Sequence, residues 1–404
     1  MKTENQDSVR TLIDSFSRTT DEIFSLEELR SLLLSGKKLI MKYGADATAP
    51  DLHIGHAVNL WMYRTLQELG HKVVFLIGDF TTQIGDPTGK SKTRPVIPVE
   101  EIERNSKEFI EQAKMVLLQD PDVFEIRRNS EWYDKMSAQE LLSLMSIITN
   151  DKLLSREMFR RRQKEGRDIY EHELVYPILQ GYDSVVLKAD LTIIGSDQLF
   201  NEMIGRDLQV RFGQQPQVVL TTKITPGIDG GEKQSKSMGN YIGLAHTPRE
   251  KYGRVMSMAD SLVADYLKVY TDIPLPDIDQ LLKEMANEPM KLKARLAWEI
   301  VKRYHGAVAA DEEASWFKKT FSERTMPEDS PIISFGKQSG TIVEILHKCF
   351  ATEAKSRNEL RRLVEQGAVS VDGRVIRDVN STIDLSQDQL SLKVGKRRWF
   401  RLTA

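Results

Sequence analysis

The chain alternates short apolar runs ending near a glycine with segments of helical period, and this alternation restricts the fold more than any other feature. Residues 38–44 and 72–78 are two such runs, and residues 54–69 between them repeat apolar side chains at helical spacing. Strand, helix and strand in this order form a βαβ unit with parallel strands. Similar runs predict three more strands, at 123–126, 191–194 and 218–220. We therefore predict an α/β protein with a Rossmann-like, doubly wound parallel sheet.

The pattern changes along the chain and predicts a division into domains. Helical periods fill the gaps between the strands, at 99–118, 138–145 and 171–187. From Pro248 to about Phe321 the period is helical throughout, and a stretch with two prolines follows. We predict a catalytic domain at 1–240 with an insertion near 130–185, an all-helical domain at 241–325, a linker at 326–339 and a small α+β domain at 340–404.

Charge is unevenly distributed between the last segment and the rest. The whole chain has a formal net charge of −2, so it is not a polycation. Residues 340–404 hold 12 Lys and Arg against 8 Asp and Glu, whereas the rest holds 45 against 51. A local basic excess is typical of a nucleic-acid-binding module, although an ordinary solvated surface would give the same count.

Cysteine usage and hydropathy exclude several classes. The one cysteine, Cys349, excludes an internal disulfide and a cysteine-rich metal cluster, and it suits a reducing compartment. The polar N-terminus lacks the apolar stretch of a signal peptide. No apolar run approaches the ~20 residues that span a bilayer. We therefore expect a cytoplasmic globular protein without a membrane partner.

His53-Ile54-Gly55-His56 begins the helical segment that follows the first predicted strand. A helix start presents unpaired N–H groups and a positive dipole end, which suit a phosphate. Gly55 has no side chain, so a nucleotide can approach the backbone there. Two histidines three apart are also compatible with a zinc site or a buried pair, but zinc needs further ligands that this chain supplies poorly.

A second loop, Lys233-Gln234-Ser235-Lys236-Ser237, follows two glycines far downstream. Lysines on such a loop can close over a pyrophosphate leaving group. With the histidine segment, they predict an ATP site that transfers an adenylyl group. A carboxylate nucleophile is already ionised at pH 7, so catalysis would consist of positioning and charge stabilisation. Mg²⁺ should accompany ATP, although no dedicated protein cage for it is visible.

Tyr176, Gln180 and Asp183 have the spacing i, i+4 and i+7, which places them on one face of a helix. Such a stripe suits a pocket for a small zwitterion with a polar tip, and a solvated helix face is the alternative. Pro177 predicts a first turn or a kink at this point of the helix.

These segments together carry a resemblance to a known family. The histidine segment and the lysine loop resemble the signature of class I aminoacyl-tRNA synthetases, and Tyr-x-x-x-Gln-x-x-Asp resembles the substrate helix of tyrosyl-tRNA synthetases. Residues 44–48, 85–89 and 195–201 fall in the same family order. The likeness covers essentially all of 30–330, and residues 356–373 resemble an S4-type RNA-binding module.

The resemblance implies roles for individual residues. For tyrosine it implies Asp86, Tyr176, Gln180 and Asp183, with Asp183 accepting a hydrogen bond from the phenol. For ATP and the reacting carboxylate it implies Asp46, Gly55, Gly195, Asp197, Gln198, Ser235 and Ser237. For catalysis at the phosphates it implies Thr48, His53, His56, Lys233 and Lys236. For tRNA contacts we select basic residues of the S4-like segment, Arg357, Arg361, Arg362, Lys396, Arg397 and Arg398.

The implied activity is ATP-dependent ligation of tyrosine to tRNA(Tyr) through tyrosyl-adenylate, by a homodimer that does not bind DNA. Three positions depart from the family pattern. Lys42 stands where many members have a tyrosine that shares the phenol, Ile194 replaces a glycine, and Gln234 replaces a methionine. A catalytically weak RNA-binding paralogue and a tryptophan-specific relative therefore stay open as alternatives.

Overall fold

The structure is a computed structural model, and the chain forms two compact units, Met1–Gly306 and Ala307–Ala404. It describes residues 5–48, 51–88, 97–231, 233–234, 238–322, 326, 330–336, 338–353, 355–386, 389–395 and 398–404.

A six-stranded sheet forms the centre of the first unit. Its strands are β1 (Thr20–Phe24), β2 (Ile40–Ala45), β3 (Lys72–Ile77), β4 (Phe124–Arg128), β5 (Leu191–Gly195) and β6 (Val218–Thr222). Their order across the sheet is β1-β6-β5-β2-β3-β4. All neighbours pair in parallel except β1, which runs antiparallel along β6. β3 and β6 are almost fully buried, as expected of a parallel sheet covered on both faces.

Fifteen α-helices are described in the first unit. They are α1 (Gln6–Phe16), α2 (Leu26–Leu34), α3 (Ile54–Glu68), α4 (Asp79–Ile84), α5 (Val99–Lys114), α6 (Ser130–Tyr133), α7 (Ala138–Met145), α8 (Asn150–Leu154), α9 (Glu157–Lys164), α10 (Glu171–Leu187), α11 (Leu199–Arg211), α12 (Pro248–Ser257), α13 (Val263–Tyr270), α14 (Leu275–Glu284) and α15 (Pro289–His305). Short 3-10 turns lie at Ser196–Gln198 and Asp260–Leu262. The apolar faces of α1, α2, α3 and α5 pack on the sheet in one continuous core.

The chain order reverses between β2 and β5, which are adjacent in the sheet. From β2 the chain continues to β3 and β4 on one side, whereas β5 and β6 build the other side. Buried Tyr63 of α3 lies where these strands diverge: its hydroxyl accepts from the Ile193 N–H at 2.6 Å and donates to the Lys42 carbonyl. Ligands of open α/β sheets bind at such a switch point, outside the carboxyl ends of the strands.

The second unit has its own apolar core and a five-stranded sheet in the order β10-β9-β12-β13-β7. Its strands are β7 (Ile332–Ser334), β8 (Ser339–Thr341), β9 (Val369–Val371), β10 (Arg374–Ile376), β11 (Thr382–Asp384), β12 (Leu390–Val394) and β13 (Arg398–Thr403), with β8 and β11 forming a separate pair. Its α-helices are α16 (Ala307–Phe317), α17 (Ile342–Cys349) and α18 (Arg357–Glu365). A π-helical turn at Lys318–Ser322 and a 3-10 turn at Ala351–Glu353 complete it.

The structure confirms the five predicted strands and four predicted helices of the sheet region, with ends displaced by a few residues. It adds strand β1, whose alternation is weak because the strand is a half-exposed edge. Pro177 lies inside α10, well after the helix start at Glu171, so a first-turn position is wrong. β7 lies in the segment predicted as a linker. The boundaries of the predicted domains stay a prediction.

Candidate active site

A cavity of about 750 Å³ opens at the carboxyl ends of β2 and β5, and we call it the central cavity. It is lined by most of the site residues predicted for the first unit: Asp46, Thr48, His53, Gly55, His56, Asp86, Tyr176, Gln180, Asp183, Gly195, Asp197, Gln198 and Lys233. The fold thus brings together segments from β2 to the loop after β6. The predicted Ser235, Lys236 and Ser237 lie outside the described residues.

His53 and His56 form a reciprocal cap at the start of α3. The Gly55 N–H donates to His53 Nδ1, and the His53 N–H donates to His56 Nδ1, each at 3.2 Å. The two rings lie 3.8 Å apart. Because Nδ1 accepts a hydrogen bond in both rings, the ring proton of each lies on Nε2. A Cβ at Gly55 would lie 2.9 Å from the His53 ring, so a larger residue here would displace that ring from the cap.

Asp183 is a buried carboxylate in the wall of the central cavity. Trp132 Nε1–H donates to one oxygen at 3.1 Å, and Asn129 Nδ2–H lies 3.4 Å from the other. Burial raises the pKa of Asp183 from 3.8 to about 7, although the Lys42 ammonium and these donors act to lower it. Asp183 is therefore a strong acceptor that has few partners of its own and can receive a hydrogen bond from a ligand.

Asp46 follows β2 and contacts α10 and α4. Tyr176 Oη donates to Asp46 Oδ2 at 2.8 Å, and Thr81 Oγ1 donates to Oδ1 at 2.9 Å. Burial, followed by the charges of Asp46 and Asp86, raises the pKa of Tyr176 well above its usual value. The phenol of Tyr176 thus stays protonated and keeps the Asp46 carboxylate in place.

Gln180 is held at both ends of its side-chain amide. Its Nε2–H donates to Glu202 at 2.8 Å, while its Oε1 accepts from Asn201 at 2.8 Å. Asn201 also donates to Gln198 Oε1 at 3.1 Å, and Gln198 Nε2–H donates to Asp86 Oδ2 at 2.9 Å. The predicted residues Gln180, Gln198 and Asp86 are thus joined in one hydrogen-bonded chain.

Asp197 and Lys233 lie together at one edge of the central cavity. Lys233 Nζ lies 4.0 Å from Asp197 Oδ2, and its side chain is 61% exposed, so the ammonium can still reach a ligand. Burial raises the pKa of Asp197, and Lys233 acts against this. A Cβ at Gly195 would lie 2.8 Å from Asp197 Oδ1, so the glycine lets this carboxylate approach the backbone.

Four of the six basic residues predicted for tRNA are described, and all belong to the second unit. Arg357, Arg361 and Arg362 are exposed on α18. Arg398 pairs with Glu353 and lies over the Phe350 ring, so part of its charge is used within the unit. The predicted Lys396 and Arg397 lie outside the described residues.

Sequence reasoning missed several residues of the cavity wall. Glu202 is buried and accepts from Gln180 and Gln217. Its spacing of four from Gln198 on a helix could have revealed it. Trp132 and Asn129 contact Asp183 from a separate element, and no local pattern could indicate that. Lys42, noted as a departure, pairs with Glu202 at 2.9 Å, whereas Trp132 and Asn129 contact Asp183.

Two further observations concern metal ions and membranes. Among the described residues, no three His, Cys, Asp or Glu side chains come together as a possible metal site. Over the same part of the chain, no helix combines the length and apolarity needed to cross a membrane.

Comparison with known proteins agrees with this geometry. A family profile described as class I tRNA synthetases (W and Y) matches residues 34–322, and an S4 domain profile matches residues 350–390. The chain is 42% identical to a tyrosine–tRNA ligase of Aquifex aeolicus, over 95% of this chain and 96% of that protein. It belongs to the tyrosyl-tRNA synthetase family. Another member, from Bordetella pertussis, is 44% identical over 91% of this chain and 89% of its own.

Solved structures of this family share the fold. A truncated mitochondrial tyrosyl-tRNA synthetase of Aspergillus nidulans matches with a TM-score of 0.63 at 23% identity, covering 78% of this chain and 94% of that one. A tyrosyl-tRNA synthetase of Archaeoglobus fulgidus complexed with L-tyrosine matches with a TM-score of 0.58 at 21% identity, covering 76% and 99%. The α/β class with a parallel sheet and a C-terminal S4 domain is thereby confirmed.

Proposed function

We propose that this protein ligates tyrosine to tRNA(Tyr) in two steps, using ATP and releasing AMP and pyrophosphate. The observation that carries the proposal is the composition of the central cavity. A buried carboxylate, Asp183, lies in the same cavity as the capped histidines and Lys233. One cavity thus contains an acceptor for a phenol and donors for phosphates. This combination suits the joining of tyrosine to ATP. The named activity of the full-length relatives supports the same reaction.

The tyrosine side of the cavity follows from hydrogen-bonding capacity. Asp183 would accept from the substrate phenol, in addition to the donors that already surround it. The α-ammonium group needs acceptors, and Gln180 Oε1, Asp86 and the Tyr176 hydroxyl supply them. Phenylalanine would leave the buried Asp183 carboxylate without its phenol partner, which penalises that substrate.

The ATP side uses the start of α3 and the Lys233 loop. The N–H groups at the helix start, with Nε2–H of His53 and His56, would donate to phosphate oxygens as negative charge shifts to them. Lys233 would meet the pyrophosphate, as would the predicted Lys236, Ser235 and Ser237. We assign Gly195 and Asp197 to the ribose, Asp46 and Gln198 to the surroundings of the reacting carboxylate, and Thr48 to the phosphates.

The adenylation step needs no general base. A tyrosine carboxylate oxygen attacks the α-phosphorus, a C–O–P bond forms, and the bond to the β-phosphate oxygen breaks to release pyrophosphate. In the second step a hydroxyl of the terminal tRNA ribose attacks the acyl carbon, the bond from that carbon to the phosphate oxygen breaks, and AMP leaves with the hydroxyl proton passing to the departing phosphate. Positioning and electrostatic stabilisation lower both barriers.

The second unit would hold the tRNA. The exposed arginines of α18 form a basic face that suits a phosphate backbone, and the S4 match supports this role. We assign Arg357, Arg361 and Arg362 to this contact, together with the predicted Lys396, Arg397 and Arg398.

Mg²⁺ would enter the central cavity as part of the MgATP substrate, because ATP phosphates themselves are its preferred oxygen ligands. We propose a homodimer, as for the family, with exposed apolar side chains of the first unit such as Leu142, Val210 and Phe212 as candidates for burial. Analytical ultracentrifugation at micromolar protein tests this. The expected compartment is the cytoplasm, where translation consumes charged tRNA.

The test is amino-acid-dependent exchange of pyrophosphate into ATP by the purified full chain, across all twenty amino acids. We expect exchange with tyrosine alone. Exchange above background with tryptophan instead would favour the tryptophan-specific alternative. The absence of exchange with every amino acid, while tRNA still binds, would identify a non-catalytic RNA-binding paralogue and refute the proposal.

A further inference from the structure

An ion pair between Lys42 and Glu202 is buried in the wall of the central cavity, and the proposed function leaves it without a role. The two charged atoms lie 2.9 Å apart, and each side chain is only 2% exposed. Taking two charges out of water cancels most of their attraction, so such a pair stabilises a fold little. Stability alone does not account for it.

The ammonium of Lys42 lies against Glu202, and its other contacts restrict the groups around the pair. The ammonium has three N–H donors, and its contacts are Glu202, Ser184 Oγ at 2.7 Å and the main-chain carbonyl of Gln180 at 3.3 Å. An ionised carboxylate is an acceptor only. Groups that contact Glu202 must therefore donate to it, as Nε2 of Gln180 and of Gln217 do at 2.8 and 2.7 Å.

This charge fixes the direction of every hydrogen bond that follows. Gln180 must direct its NH₂ group to Glu202, so its carbonyl oxygen lies on the opposite edge of the amide, where it accepts from Asn201. The second N–H of Asn201 goes to Gln198, whose NH₂ donates to Asp86. A chain that begins at an ammonium and ends at a carboxylate allows each amide one orientation only.

The orientation of these amides leaves two buried acceptors unsatisfied. In the described part of the chain, Asn201 Oδ1 and Gln217 Oε1 are buried without a hydrogen-bond partner, and buried orphan acceptors are destabilising. Turning the Asn201 amide would place its oxygen against the Gln180 and Gln198 oxygens. The orientation of the Gln180 amide is thus maintained at the expense of two unsatisfied neighbours.

We propose that Glu202, paired with Lys42, is a positioning residue that holds the side-chain carbonyl oxygen of Gln180 toward the ammonium group of the amino-acid substrate. Only the carbonyl end of an amide can accept from an ammonium, and a turned amide would present N–H groups to it. Gln180 lines the central cavity beside Tyr176 and Asp86, the other two acceptors. The inference rests on the proposed function and assigns the ion pair to recognition of one substrate group.

The experiment compares tyrosine with 3-(4-hydroxyphenyl)propionate, which has the same ring, phenol and carboxylate and lacks only the ammonium. Dissociation constants are measured by calorimetry on the full chain for the parent, Glu202→Gln and the double variant Lys42→Met/Glu202→Leu. In Glu202→Gln a neutral amide lets Gln180 turn. The double variant leaves no unpaired buried charge, so it carries the test if Glu202→Gln does not fold.

We expect both variants to weaken tyrosine about tenfold or more, the scale of a hydrogen bond to a charged group. Binding of 3-(4-hydroxyphenyl)propionate by Glu202→Gln should stay within about twofold of the parent by the same reasoning, because that variant keeps Lys42, Asp183 and the phenol contact. In the double variant the loss of Lys42 acts on Asp183 for both ligands alike, so tyrosine should still lose more affinity than the analogue. Glu173→Gln is the matched control: this buried acid on the same helix pairs with Arg162 and does not contact Gln180 in the described hydrogen bonds. It should leave the ratio of the two affinities unaltered.

An equal loss for both ligands would mean a merely structural role and would overturn the proposal, as would unchanged affinity for both. Failure of the proposed function would be seen separately, because the parent protein would then support no tyrosine-dependent pyrophosphate exchange.

Discussion

Replacing Asp183 by asparagine should stabilise the fold while it weakens tyrosine binding. Burial raises the pKa of this carboxyl from 3.8 to about 7. At 1.36 kcal/mol per pKa unit, the shift corresponds to about 4 kcal/mol of unfavourable burial of the ionised form above pH 7. Asparagine removes that charge, but its NH₂ then faces either Trp132 or Asn129, a mismatch of about 1–3 kcal/mol. We expect a net gain of about 1–3 kcal/mol.

The gain should depend on pH in a defined direction. A carboxyl whose folded pKa is raised binds more protons in the folded state, so its effect on stability worsens as pH rises from 3.8 to about 7. The advantage of Asp183→Asn should therefore be greatest at about pH 8 and should shrink toward about pH 4, where the parent buries Asp183 protonated.

Equilibrium urea unfolding at several pH values measures this effect. Glu173→Gln is a control of opposite sign, because the pKa of Glu173 is lowered: burial acts to raise it, but hydrogen bonds from Arg162 and the Tyr170 N–H outweigh burial. Glu173→Gln should destabilise the fold at neutral pH. If Asp183→Asn also lowered the urea midpoint at about pH 8, or if its effect were independent of pH, the reasoning would be refuted.

Other predictions concern the phosphate side, the departure in the loop and the RNA face. Lys233→Ala should slow single-turnover adenylate formation about 10²-fold, as for loss of one transition-state charge partner. Lys37→Ala is the control, because Lys37 pairs with Asp190 at the amino end of β5. An equal effect of both variants would contradict the assignment of Lys233 to the phosphates. Gln234→Met removes a buried 2.8 Å hydrogen bond to the Tyr270 hydroxyl, so it should lower the free energy of unfolding in urea by about 1 kcal/mol without slowing adenylation. A large loss of adenylation rate would show that Gln234 does more than stabilise the fold. Replacing three exposed arginines by glutamine, Arg357, Arg361 and Arg362, should reduce the salt slope of tRNA binding by about 2–3 and spare adenylation; an unchanged slope would remove α18 from the RNA contact.

The parts of the fold that depend on local periodicity could be predicted from sequence. Buried parallel strands such as β3 are continuous apolar runs, and α10 agrees with its predicted bounds. The edge strand β1 was missed because its exposed Asp21 and Glu22 interrupt the apolar pattern.

The candidate site divides in the same way. His53 and His56 adjoin in sequence and in space, so their motif indicated the cap at the start of α3. The contact of Trp132 with Asp183 joins separate elements, and the pairing of Lys42 with Glu202 joins β2 to α11, so both arise only when the fold is assembled. The replacement of a strand tyrosine by Lys42 could be noted from the sequence, but its partner could not.

The proposed function depends on a buried acid, Asp183, that accepts a hydrogen bond from the substrate phenol in the cavity where ATP binds. The ratio of kcat/KM for tyrosine to that for phenylalanine, measured by pyrophosphate exchange with the unaltered protein, tests this claim most directly. We expect strong preference for tyrosine over phenylalanine. A ratio of about 10⁵ is the value known for tyrosyl-tRNA synthetases and does not come from the geometry of this site. A ratio near one, on the order of what a site with no phenol-reading group gives, would contradict the account.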